Sequence, residues 1–138
     1  MDAKQLMLGD YVINTEFGKN EIGQIDILEP TRVWLKGGKT YVPINYIEPI
    51  PLTPEILEKN GFIVCENTGN KHDYIWYDNK SYIYVIFRND GNLLVTMETD
   101  LNEGRGINSV HNCDIFFVHE LQHVLRLCGI DKKIKLNN

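Results

Sequence analysis

Asp114-Ile115-Phe116-Phe117-Val118-His119-Glu120-Leu121-Gln122-His123-Val124-Leu125-Arg126-Leu127-Cys128-Gly129 is the longest helical pattern in the sequence, and its reading decides the fold. Phe117, Leu121, Val124, Leu125 and Cys128 recur at the spacing of one helix face. His119, Gln122, His123 and Arg126 fall on the opposite face, with Glu120 to the side. The pattern therefore predicts a C-terminal helix that lays an apolar face on a sheet and turns both histidines outward.

Working back along the chain, two groups of strands precede this helix. In residues 9–50 the runs Tyr11-Val12-Ile13, Gln24 to Leu28, Val33-Trp34-Leu35 and Tyr41-Val42 are short and β-prone, and Gly9, Gly23 and Gly37-Gly38 punctuate them. Ile25 with Ile27, and Val33 with Leu35, alternate as strands with one buried face do. Four or five such strands in so short a span predict a small, strongly bent barrel. Glu48 to Pro54 carries three prolines and reads as a stiff connector. Thr53 then caps a short helix with Pro54 at its first turn, and Asn60-Gly61 ends it.

Phe62 to Cys65 reads as a buried strand. Tyr74 to Tyr77, Ser81 to Arg88 and Leu93 to Glu98 follow, joined by turn signals at Asp78-Asn79-Lys80 and Asn89-Asp90-Gly91-Asn92. These predict a three- or four-stranded antiparallel meander. Thr99 to Asn112 reads as an irregular surface stretch, and Gly104-Arg105-Gly106 at its centre is a candidate anion-binding turn. The fold class expected is α+β, a small β-barrel over 1–52 followed by an α+β unit over 53–138.

Composition narrows the function. The 138 residues are 43% hydrophobic and 24% charged, which is globular rather than disordered. A net charge of −5 argues against a general nucleic-acid coat, and in residues 1–52 acidic side chains outnumber basic ones. No run approaches the ~20 apolar residues needed to cross a bilayer. The opening residues lack the apolar core of a signal peptide. Together with three cysteines in no metal-binding spacing, these features predict a cytoplasmic protein without a membrane partner.

One string carries a named chemistry. His119-Glu120-Leu121-Gln122-His123 places two histidines one helical turn apart, within reach of one zinc ion, with Glu120 as a general base. A catalytic zinc needs a third protein ligand. The positions where extended zinc-protease patterns put a glycine and a further histidine hold Arg126 and Gly129. The remaining donors, His72, His111 and the cysteines, lack a matching context. A solvated or partner-facing helix surface is therefore the preferred reading, with zinc-dependent hydrolysis the alternative.

The opening Gly9-Asp10-Tyr11-Val12, followed by Gly23-Gln24-Ile25, resembles SH3-like barrels of the KOW and Tudor kind. In such barrels rim aromatics bind nucleic acid or peptide, and Tyr11, Trp34, Tyr41 and Tyr46 are the counterparts here, unless they only fill a small core. Over most of its length the chain also resembles an uncharacterised family of gut Bacteroidetes, their phages and mobile elements. Ile50-Pro51-Leu52-Thr53, Lys59-Asn60-Gly61-Phe62 and Val118-His119-Glu120-Leu121-Gln122 carry that likeness. The family helix reads Val-His-Gln-Leu-Gln-Asn, so this chain departs at Glu120 and His123, the residues that complete the zinc string.

The resemblance implies a non-enzymatic accessory protein that binds a host protein, a nucleotide or a nucleic acid. The candidate binding residues are His119, Gln122, His123, Arg126, Arg105 and Trp34. Catalytic Glu120 and metal ligands His119 and His123 belong to the zinc alternative.

Overall fold

The computed structural model describes residues 1–64, 73–77, 81–87, 93–99 and 109–136. The chain is α+β, with two antiparallel sheets and a C-terminal helix. It divides into two compact units. The first comprises Met1–Pro51 with Phe117–Lys133, and the second Leu52–Phe116 with Ile134–Asn138.

In the first unit, strands β1 (Tyr11–Asn14), β2 (Glu21–Leu28), β3 (Arg32–Leu35), β4 (Tyr41–Pro43) and β5 (Ile47–Glu48) form one curled sheet in the order β4-β3-β2-β1-β5. β2 is long enough to serve two neighbours. Its first half pairs with β1 and its second with β3, and a register shift between Ile25 and Ile27 bends it. That bulge corrects the expected alternation. Ile25 is buried, whereas Ile27 is 42% exposed, because an extra residue in a strand turns the following side chain to the other face. Val33 and Leu35 both stay inside. Leu6, Val12, Val42 and Ile47 complete the core with them. Gly23 admits Leu35 closely, since a Cβ there would stand 2.8 Å from Leu35 Cδ1.

The second unit opens with α1 (Pro54–Lys59). Thr53 Oγ1 accepts the Ile56 N–H at 3.3 Å, and Gly61 leaves the helix at φ +85°. Its sheet has five strands in the order β10-β9-β8-β7-β6, not the three or four expected. They are β6 (Ile63–Val64), β7 (Asp73–Tyr77), β8 (Ser81–Phe87), β9 (Leu93–Thr99) and β10 (Ser109–Ile115). β6 is an exposed edge strand rather than a buried one; Phe62, just before it, is the buried side chain. The turn signals at 78–80 and 89–92 lie outside the described residues, although the strands they join pair antiparallel as expected.

β10 is the strand that the sequence pattern does not announce. It takes the end of the stretch expected to be irregular and the first two residues of the expected helix, and Ile115 pairs with Leu93. Apolar residues at 115–118 satisfy strand and helix patterns alike, so the pairing partner decides. The helix α2 therefore runs only over Val118–Leu127. By its contacts it groups with residues 1–51, which corrects the expected division of the chain at residue 52 with the helix in the second part. Val118 N–H donates to Ile50 O at 2.8 Å, and Pro51 bridges Phe117.

Candidate binding cleft on the barrel unit

The polar face of α2 is outward only in part: Arg126 is exposed and His123 partly so. His119 and Gln122 are 4% and 7% exposed, a correction to the sequence reading that follows from what the start of β1 lacks. β5 pairs only with Ile13 and Asn14, which leaves the N–H of Tyr11 without a strand beside it. A buried backbone donor must find another acceptor. The Gln122 amide supplies one: its Oε1 accepts from Tyr11 N at 2.9 Å, and its Nε2 donates to Gly9 O at 3.0 Å. Gln122 thus takes the place of a strand neighbour. Gln24 Nε2 also donates to Gly9 O, at 2.9 Å.

Asp10 sits between these two backbone contacts and is completely buried. Its Oδ2 accepts from Met7 N at 2.8 Å and lies 2.7 Å from His123 Nε2; its Oδ1 accepts from Arg126 Nη1 at 3.1 Å. A buried carboxylate is tolerated when charge and hydrogen bonds surround it. Gln122, His123 and Arg126, all expected to be binding residues, thus make contacts that dock the helix.

Glu120 Oε1 accepts the Phe117 N–H at 3.1 Å, so the supposed base caps the helix. His123 turns its Nε2 to Asp10. Among the described residues no group of three or more His, Cys, Asp or Glu side chains is placed to hold a metal ion. His72 lies outside the described residues, as does Cys65, and the side chains of His111 and Cys113 are not described. Among the described residues, two members of the string are thus engaged in other contacts.

His119 is the member of the string with no such commitment. It is sandwiched between rings, parallel to Phe117 at 5.9 Å and edge-on to His123 at 5.5 Å. Its Nδ1 is buried without a hydrogen-bond partner. Burial lowers its pKa below the ordinary 6.5, against the pull of Asp10 and Glu120, so the ring is neutral at pH 7. It lines a cleft of about 520 Å³ together with Gln5, Asn45, Glu48, Glu120 and His123. Among the described residues no Lys or Arg lines this cleft, although Met1 does. The two carboxylates in its lining favour a ligand that brings hydrogen-bond donors and positive charge.

The other expected site residues lie elsewhere. Trp34 is half-buried and meets Tyr41 edge-on at 5.1 Å. Arg32 stands over the Tyr41 ring at 3.8 Å and is paired with Glu29, so the chain's own cation occupies that aromatic face. Arg105 and its flanking glycines lie outside the described residues. The sequence reading misses Asp10, Glu48 and Asn45; in the Gly9-Asp10-Tyr11 step the carboxylate reads only as a turn signal. No protein-family model matches the chain, and no curated protein or solved structure gives a significant match. Among the described residues no helix is long and apolar enough to cross a membrane.

Proposed function

We propose that this is a non-enzymatic binding protein, with the phage or mobile-element accessory role that its sequence resemblance implies. On this reading the cleft beside His119 receives a positively charged, donor-rich side chain of a protein partner. One observation carries it. The His119 ring is buried, neutral and unpaired at Nδ1 on the wall of an acidic cleft, while its neighbours in the string are engaged in structure. The carboxylates of Glu48 and Glu120 on the same wall would pair with such a side chain.

Thermal-shift titration with short Arg- and Lys-rich peptides, Glu-rich peptides and mononucleotides tests the reading, because a ligand of the native state raises the melting temperature. The basic peptides alone should stabilise the wild type, and Glu48→Lys should abolish the effect while leaving the fold intact, since Glu48 is exposed. A response confined to nucleotides or to acidic peptides would refute it.

A further inference from the structure

Phe17 occupies a position that suits glycine. It lies in the turn between β1 and β2 at φ +60°, followed by Gly18 at φ +70°, and it is the one non-glycine residue with positive φ among those described. Bulky side chains avoid this region because Cβ crowds the carbonyl oxygen. The surrounding hydrogen bonds hold it there. Asn14 Oδ1 accepts from Glu16 N at 2.9 Å, Thr15 N and Oγ1 both donate to Tyr46 O, and Gly18 N donates to Thr15 O. The ring gains nothing from packing in return, being 87% exposed. Strain kept without packing points to a function for the side chain.

The surroundings indicate what the ring meets. Phe17 lines a groove of about 320 Å³ with Lys19, Lys36 and Lys39 and with the Gly37-Gly38 turn. Nothing stands within 4 Å of the Cβ position of Gly37, so a ligand can approach the backbone there. Glu16 and Glu21 also line the groove, which reduces its surplus to one positive charge. A duplex, with one phosphate charge per ~1.7 Å, needs a denser cationic face than this. A flexible strand held chiefly by stacking a base on the exposed ring does not.

We propose that this groove binds single-stranded nucleic acid, one base stacking on Phe17 and adjacent phosphates meeting Lys19, Lys36 and Lys39. The site is separate from the cleft beside His119, and its ligand is of opposite charge.

Fluorescence anisotropy with a labelled short oligothymidylate or oligouridylate at low salt tests it, against the matching duplex and a Glu-rich peptide as competitors. Phe17→Gly is the decisive variant, because it removes the ring and relieves the backbone together. Affinity should fall between about fivefold and about 150-fold, the range one stacked base is worth, while the melting temperature holds or rises. Lys36→Gln/Lys39→Gln should flatten the salt dependence by about 0.7 in log–log slope for each phosphate that a lysine no longer neutralises. No binding by the wild type, undiminished binding by Phe17→Gly, or equal competition by the duplex or the acidic peptide would each overturn the proposal. So would a lower melting temperature for Phe17→Gly, which would give the ring a structural role.

Discussion

Replacing Gln122 by alanine separates a docking residue from a binding residue, because the two roles predict different measurements. The substitution removes both hydrogen bonds of the amide, to Tyr11 N and from Nε2 to Gly9 O. The consequences for the two backbone groups differ. Gly9 O keeps the donor of Gln24 at 2.9 Å, so that loss is one ordinary bond, about 0.5–1.5 kcal/mol. Tyr11 N has no strand beside it on that edge and becomes an orphan, at about 1–3 kcal/mol. The variant should therefore lose about 1.5–4.5 kcal/mol of stability.

Gln24→Ala, which leaves Gly9 O with the donor of Gln122, should lose only about 0.5–1.5 kcal/mol. Urea denaturation followed by circular dichroism measures both, and an unchanged m-value shows that the comparison concerns the native state. A loss below about 0.5 kcal/mol for Gln122→Ala, or the reverse ranking of the two variants, would refute the strand-substitute role. Gln122 would then be open again as a residue that meets a partner.

Three further outcomes are expected. The folded state lowers the His119 pKa beneath its unfolded value near 6.5. The unfolded chain then binds the extra proton first, so stability falls as pH drops through 6.5 and levels off below the folded pKa; melting curves from about pH 7.5 to about pH 5 should be flatter for His119→Phe. Asn60→Ala removes bonds to Ile56 O, Lys135 O and Lys135 N; it should cost about 1.5–4.5 kcal/mol in urea, three bonds at about 0.5–1.5 kcal/mol each. Protein purified without a histidine tag should carry well under one zinc per chain by elemental analysis, whereas about one tightly held zinc would revive the hydrolase alternative, as expected of a resident catalytic ion.

Local signals in the sequence are legible where one interaction dominates. Thr53, Pro54 and Gly61 announce α1 because capping and backbone freedom act within a few residues. Four of the first unit's five strands are readable for the same reason, whereas β5 overlaps the stretch read as a connector. Alternation misplaces Ile27 because a bulge is set by the pairing of two strands, not by either one. Periodicity assigns Asp114 and Ile115 to the helix, although pairing to Leu94 and Leu93 makes them strand. The candidate site fails at long range. The helical wheel separates polar from apolar positions correctly, but it equates polar with exposed. Asp10 lies 113 residues from His123, and no periodicity reveals that a buried carboxylate awaits the histidine there.

That separation bears on how the first unit comes to be folded. Its strands are complete by residue 48, yet the groups that satisfy Asp10 and Tyr11 stand at positions 122, 123 and 126. During synthesis the barrel strands emerge first and must wait for the rest of the chain. Until then the turn at Gly9-Asp10 keeps its carboxylate in water, because burying it unpaired costs too much. Closing so long a loop adds only slowly to the entropic cost, but it makes the final step non-local and therefore slow. The barrel can form its sheet early and still lock its first turn last, so arrival of α2, rather than strand pairing, should set the time at which this unit becomes resistant to proteolysis.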